Sequence, residues 1–475
     1  MKRKDIADAV KGKAAKHYDV IIIGSGPAGI FAALELSQKK GLKVLLLEKG
    51  HDLEKRKCKI TRAAGGCSLC MPCNMVSGLG GAGAYSDGKL TLSSEVGGRL
   101  GEMVDRSRLD HLIDYVDELY IKYGAPQKVC GDGEGVEALK RKATMAELKL
   151  IPVRIRHMGS DRSRQVLRAM RNDIVNGIEI RTDTEARHVL VEGQKISGVL
   201  TGNGEILGCD YVIAAPGREG ADWLSREAQW LGLKIKSNPV DVGVRVEVAA
   251  PVLEELTSAL YEGKLEYYSK MFDNRLRTFC MCPGGEVIIE ATGGDDPVIT
   301  VNGASSSGRK TANTNFAILV STDFTEPFHE PIAYGKYLAR LANFLSGGVL
   351  IQRLGDLMDG HRSTPERIKR SVVIPTLPSA VPGDLSFVLP YRHLISIIEM
   401  LKAMDRLAPG VASRHTLIYG VEVKFYSSQL ELSANLETGV RNLFAAGDGA
   451  GVSRGLVQAS VCGVIAAREI LKRVR

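Results

Sequence analysis

The chain has 475 residues, 44% hydrophobic and 25% charged, an ordinary soluble balance that argues against disorder, collagen or coiled coil. Its length suits two or three domains, and no run approaches the roughly 20 apolar residues needed to cross a bilayer. Lys and Arg number 63 against 55 Asp and Glu, and half of the resulting +8 lies in residues 1–16, so a polyanionic partner is weakly supported.

That basic leader is followed only by Val20-Ile21-Ile22-Ile23 before a glycine, too short for the apolar part of a secretory signal. The nine cysteines are odd in number and four of them crowd between 58 and 73, which does not suit a secreted disulfide framework. A cytoplasmic protein is expected. Aromatics at 5% supply few stacking platforms for unpaired bases, which makes nucleic acid an unlikely partner.

In chain order, Tyr18 to Ile23 reads as a buried strand, Gly24 to Gly29 as a turn, Ile30 to Lys39 as a helix and Leu42 to Glu48 as a second strand. Residues 58–98 are rich in Gly and Cys without periodicity, the pattern of an ordered functional loop. Helices are expected at 109–123, 136–148 and 162–176, and a meander of short strands from Ile178 to Ala215. Alternating strands fill much of 236–345 before a helix near 331–346, and Pro375 to Pro382 reads as a crossing between domains. The tail repeats the opening grammar: a strand at 442–446, the turn Gly447-Asp448-Gly449 and a helix from about Gly455 to Lys472.

Gly24-Ser25-Gly26-Pro27-Ala28-Gly29 is G-x-G-x-x-G between a strand and a helix. Gly24 permits the tight turn, Gly26 lets backbone approach a pyrophosphate at the helix N-terminus, and Gly29 lets helix pack on strand. Glu48 follows 19 residues after Gly29, where a carboxylate suits the hydroxyls of a ribose. A dinucleotide site is expected.

Two further segments decide which dinucleotide. Thr438 with Ala445-Ala446-Gly447-Asp448 resembles the second fingerprint of flavoproteins built like glutathione reductase and p-hydroxybenzoate hydroxylase, and Val212 to Gly217 is similar to their middle fingerprint. The resemblance implies FAD, with Asp448 on the ribityl region and the last helix aimed at the flavin. Gly80 to Leu90, His157 to Asp161, Thr278 to Gly285 and Gly420 to Lys424 resemble a family of FAD-dependent dehydrogenases. The match departs around 422–428, where Lys424-Phe425-Tyr426-Ser427-Ser428 stands in place of that family's Arg-Thr-Ser-Ser-Pro. Cofactor contacts are therefore expected at Gly24, Ser25, Gly26, Pro27, Ala28, Gly29, Glu48, Lys49, Gly81, Gly83, Ala186, Ala215, Gly217, Gly447, Asp448, Gly455, Leu456 and Val457.

Five glycines (78, 80, 81, 83, 88) precede Lys89, a density that suits close approach to a flat ring. By analogy with related flavoproteins, Lys89 would lie near flavin N5 and offset charge on the reduced ring. His157 is the weaker candidate for proton transfer. Segments 78–90 and 278–285 are expected to bracket the isoalloxazine. Cys67, Cys70 and Cys73 have C-x-x-C-x-x-C spacing, which suits an iron–sulfur cluster or zinc with Cys58, Cys280 or Cys282 as fourth ligand. A redox-active pair, or reduced and simply packed thiols, fits the same spacing.

The expected fold is α/β, a split Rossmann-like FAD-binding domain (1–235 and 416–475) with an inserted mixed sheet and helix substrate domain (236–415). The expected function is an FAD-dependent oxidoreductase, a dehydrogenase or reductase passing hydride through N5 to or from a small molecule or redox carrier. NAD(P)H would serve as a transient donor, since no second complete nucleotide fingerprint appears. An RNA-modifying flavoprotein and an FAD/iron–sulfur electron carrier are the alternatives.

Overall fold

The computed structural model describes residues 16–57, 70–133, 135–236, 239–292, 297–305, 310–322, 330–424 and 429–474. They form two compact units, Met1–Gln127 with Ser160–Lys236 and Ser427–Arg475, and Lys128–Gly159 with Ser237–Tyr426.

The first unit is organised by a parallel sheet. Lys16–Ile23 is flanked by Val44–Leu47 and Ile206–Ala214, with Glu179–Arg181 beyond the former and Leu443–Ala445 beside the end of the latter. An antiparallel hairpin, Ala186–Glu192 and Lys195–Thr201, joins the start of Ile206–Ala214. Val20 to Ile22 and Val44 to Leu47 are buried with almost no exposure, as continuous β-branched and leucine runs are when both faces of a parallel sheet are covered. The cover on one side includes two helices, Pro27–Ser37 and Leu456–Arg473. They touch through small residues: a Cβ added at Gly463 would stand 2.0 Å from the carbonyl oxygen of Ala28. Glu35 adds a polar tie, accepting from Arg468 Nε at 2.7 Å and from the Tyr115 hydroxyl at 2.5 Å.

The second unit is built on an eight-stranded, largely antiparallel sheet. Its order is Val381–Pro382, Leu350–Arg353, Leu417–Lys424, Val240–Ala249, Asn313–Thr322, Arg275–Pro283, Lys264–Tyr268 and Lys149–Ile151. Val242, Val244, Val246 and Val248 enter a core shared with the helices Gly135–Met145, Glu254–Leu260, Pro331–Ser346 and Tyr391–Leu407. The alternate residues Asp241, Arg245 and Glu247 are buried as well, which strict period-two alternation does not foretell.

The units divide the chain differently from the expected boundaries at three points. Residues 128–159, expected with the first part, belong to the second unit because Lys149–Ile151 pairs with Lys264–Glu266 at the sheet edge. Residues 416–426 also belong there, since Leu417–Lys424 pairs with Val240–Ala249. Pro375 to Pro382 is no crossing; it lies within the second unit, where Val381–Pro382 adds an edge strand. The helices expected at 109–123 and 162–176 begin earlier, at Arg106 and Ser160, and the first is capped by Asp105, which accepts from the N–H groups of Ser107 and Arg108. Among the described residues no helix is long and apolar enough to cross a membrane.

Candidate functional site

The site in the first unit grows from the glycine turn. Gly24 has φ +96°, and a Cβ there would lie 2.3 Å from the carbonyl oxygen of Ala215, so only glycine fits between the two strands. Gly29 is equally constrained, its Cβ position being 1.9 Å from Gly24 O. Gly26 is different. It is the N-cap of Pro27–Ser37, no side chain caps that helix, and a Cβ at Gly26 would meet nothing within 4 Å.

The closing fingerprint repeats this arrangement. Gly455, at φ +91°, is the N-cap of Leu456–Arg473, which again has no side-chain cap, and the space at its Cβ position is open. Gly217, at φ +65°, also faces open space. Two uncapped helix N-termini therefore present unmatched first-turn N–H groups and positive dipole ends beside room for a ligand. This arrangement fits an anionic, phosphate-bridged cofactor such as FAD.

Close contacts join the three fingerprints and the second glycine loop. A Cβ at Gly81 would stand 3.0 Å from Gly26 Cα, one at Gly83 2.8 Å from Leu456 Cδ2, one at Gly447 3.1 Å from Ala28 Cβ, and one at Gly449 2.5 Å from Gly217 O. The structure thus brings together Gly24 to Gly29, Gly81, Gly83, Ala215, Gly217, Gly447, Asp448, Gly455, Leu456 and the buried Val457. Lys49 pairs with Glu219 at 3.6 Å. Ala186 is buried at the start of its hairpin, two residues beyond Thr184, whose N–H donates to Glu48 O.

Asp448 is mostly enclosed. Its carboxylate accepts from Ser453 Oγ at 2.9 Å and the N–H of Gly455 at 3.4 Å, with Arg218 Nε at 3.8 Å. Burial pushes its pKa above the ordinary carboxylate value, against the pull of Arg218 and those two donors. Behind it, burial pushes the Cys462 thiol up to about 12, which keeps this cysteine neutral and inert.

Glu48 departs from the simple ribose-acceptor expectation. It is buried, and both carboxylate oxygens already accept twice: Oε2 from Ser25 N at 3.0 Å and Ser25 Oγ at 2.6 Å, Oε1 from Gly50 N at 2.8 Å and Gly78 N at 2.9 Å. Sequence spacing located the carboxylate at the strand end but gave no sign of these donors. Arg56 was missed altogether. This guanidinium is fully buried yet stands in an irregular stretch with no motif around it.

Lys89 opens the short strand Lys89–Leu92, and its ammonium lies 3.0 Å from Asp87 Oδ2 with the side chain 11% exposed. His157 lies in the second unit, where Nε2 stands 3.0 Å from the Tyr261 hydroxyl and the rings stack at 4.6 Å. Residues 78–90 fall in the first unit and 278–285 in the second. Cys67 and Cys58 lie outside the described residues. Cys70 and Cys73 are in no disulfide, and among the described residues no group of three or more His, Cys, Asp or Glu could hold a metal ion.

The family-like segments 278–285 and 420–424 meet inside the second unit. Arg245 is fully buried and donates both to Glu422, at 2.8 Å from Nε and from Nη2, and to Cys280 O at 2.7 Å. Its remaining donors reach Asn315 Oδ1 at 3.3 Å and Asn302 Oδ1 at 3.0 Å. Lys424 approaches the same Glu422 at 3.0 Å. Burial lowers the pKa of Arg245, but Glu422, with Cys282 and Cys280 adding to it, raises it on balance and holds the guanidinium charged. All five N–H groups of Arg245 are committed, so this cluster organises the sheet face and offers no spare guanidinium edge.

Known families match the chain in two consecutive stretches, the first of which also spans residues 128–159 of the second unit. The family described as "FAD binding domain" matches residues 19–227, and the family described as "FAD-dependent protein, C-terminal domain-like" matches residues 239–425. A curated relative, an uncharacterized protein of Clostridium beijerinckii, is 27% identical over 479 aligned residues, covering 95% of this chain and 80% of the relative. Among solved structures, a 3-ketosteroid-delta4-(5alpha)-dehydrogenase from Rhodococcus jostii aligns at 13% identity and TM-score 0.46, covering 97% of this chain and 98% of that one. L-proline dehydrogenase from P. horikoshii aligns at 12% identity and TM-score 0.42, covering 96% and 94%.

Proposed function

We propose that this chain, an FAD-dependent oxidoreductase by its two consecutive family matches, is a dehydrogenase or reductase of a small molecule or redox carrier that holds FAD non-covalently in its first unit. The observation that carries the reading is the meeting of two uncapped, glycine-led helix N-termini at open space beside Gly26, Gly217 and Gly455. FAD, when bound, supplies two-electron chemistry at flavin N5.

The chain's own residues then have distinct tasks. The N–H groups opening Pro27–Ser37 bind pyrophosphate, and Gly26 keeps that approach clear. Asp448 accepts from the ribityl region, and its raised pKa suits an acceptor that gains partners when the cofactor arrives. Lys89 holds positive charge, screened by Asp87, for negative charge that develops on reduction. His157, already hydrogen-bonded to Tyr261, is the secondary candidate for moving a proton. The split layout of the p-hydroxybenzoate hydroxylase type, a cytoplasmic setting and NAD(P)H as a transient electron donor complete the proposal.

The test is the visible spectrum of purified protein before and after anaerobic NADH or NADPH. A flavin spectrum that releases FAD on denaturation is expected; released FMN or NAD, or a colourless protein that cannot be loaded with FAD, refutes the assignment. Lys89→Met should retain FAD yet slow flavin reduction by about 10²-fold. Unchanged stopped-flow reduction in that variant removes Lys89 from the chemistry.

A further inference from the structure

We propose that Glu48 and Arg56 form a clip that fixes the second glycine loop, residues 78–83, against the first glycine turn, and that Arg56 is thereby a positioning residue for FAD. The inference rests on the FAD reading above and assigns a task to a buried charge which that reading leaves unused.

The segment from Asn74 to Gly80 lies in no strand and no α-helix, so its backbone groups must find other partners. Arg56 supplies donors for four of its carbonyls, while the N–H groups of Val76 and Ser77 reach Cys73 O and that of Leu79 reaches His51 O. Arg56 Nε donates to Asn74 O at 3.0 Å, Nη2 to Met75 O at 3.0 Å, and Nη1 to Gly78 O at 3.3 Å and Leu79 O at 2.6 Å. Glu48 Oε1 accepts from the N–H of the same Gly78, while Oε2 grips Ser25 in the first turn. Gly78 is therefore held at its N–H by a buried anion and at its carbonyl by a buried cation.

The residue types match the task. A Cβ at Gly78 would lie 2.6 Å from Arg56 Cδ, and φ there is +104°, so glycine is required on both counts. The Tyr85 ring packs 5.0 Å from the guanidinium, and the Tyr85 hydroxyl donates to Arg56 O. Arg56 gathers carbonyls rather than a carboxylate, and burial lowers its pKa to about 10. Burying a cation in this way is costly, so the gain must lie in what its fork arranges. A lysine cannot arrange it, being a point charge with no planar fork.

The arrangement delivers a second wall to the cofactor site. With Gly78 fixed, Gly80 N donates to Ser25 O at 2.9 Å, and Gly81 comes to rest against Gly26. A phosphate-bridged ligand approaching the open side of Gly26 thus meets a loop already in position. Preorganised surroundings of this kind raise affinity by removing the cost of ordering on binding.

The experiment compares wild type, Arg56→Lys and Arg56→Met as full-length protein, stripped of flavin and titrated with FAD. Arg56→Met should bind FAD at least about tenfold more weakly, with Arg56→Lys between it and wild type. The bound-flavin spectrum and the two-electron midpoint potential should both shift toward those of free FAD, readouts that general destabilisation does not move. Folded variants with wild-type affinity, spectrum and potential overturn the proposal. Hydrogen exchange on the wild-type chain tests it without any variant. The Gly78 and Gly80 amides should be protected about 100-fold or more with and without FAD, whereas free exchange in the flavin-free chain overturns the clip. Wild type that takes up no FAD would instead refute the cofactor reading, leaving exchange to judge the clip alone.

Discussion

Gly26 and Gly29 stand three residues apart in one turn, yet their missing side chains answer to different neighbours. Gly29→Ala would drive a methyl group into Gly24 O, 1.9 Å away, so the helix must lift from its strand at a cost of about 1–3 kcal/mol. Gly26→Ala meets nothing, and φ −70° there is open to alanine. It should unfold in urea like wild type when both lack flavin, while its flavin-to-protein absorbance ratio falls sharply. Full flavin in Gly26→Ala would mean that no ligand occupies the space in front of it. Asp448→Ala should weaken FAD binding by about 1–3 kcal/mol, read by titration, because donors in an enclosed site lose their acceptor. At this scale the glycines were legible, since their roles follow from one turn. The partners of Glu48 were not: Ser25 lies 23 residues before it and Gly78 lies 30 after.

The pair of helices that opens and closes the chain is held by close approach rather than by large side chains. Ala28 and Ala32 of Pro27–Ser37 face Gly463 of Leu456–Arg473, whose Cβ position lies 2.0 Å from Ala28 O and 3.0 Å from Ala32 N. Gly463→Ala must part the helices at backbone level, where no rotamer can yield. Overpacking of this kind costs about 1–3 kcal/mol. Because the N-termini of both helices frame the proposed pyrophosphate site, the same change should also reduce FAD occupancy. Unfolding and flavin content measured together test this, and loss of neither would show that the helices slide apart freely. Local pattern supplied both helices because each has a glycine start followed by a predominantly apolar, largely buried run. It could not supply their contact, which joins residues more than 400 positions apart.

At the scale of the whole molecule, the alternation of fold units was legible only where a boundary coincides with a local signal. The crossing near 236 does so. The transfer of 128–159 and 416–426 to the second unit does not, because strand pairing partners such as Leu150 with Leu265 are invisible to local periodicity. The burial of a charged face on Val240–Ala249 was hidden for the same reason. A related concealment sets an acid limit. His393, on the helix Tyr391–Leu407, is 6% exposed, with Nε2 placed 3.2 Å from Thr322 Oγ1 and Nδ1 without a partner among the described residues. Burial, aided by neighbouring Arg392, lowers its pKa to about 4 from the ordinary 6.5. The folded chain therefore keeps this ring neutral while the unfolded chain protonates it below 6.5. Its contribution to stability is intact above pH 6.5 and is lost progressively as pH falls toward 4, by up to about 3 kcal/mol. Other groups also titrate across this window, so the measurement is a difference. Urea unfolding of wild type and His393→Gln, followed from pH 7 to pH 4, should show wild type losing the larger share of stability. Parallel pH profiles would mean that His393 is protonated in the folded state and contributes nothing to acid sensitivity.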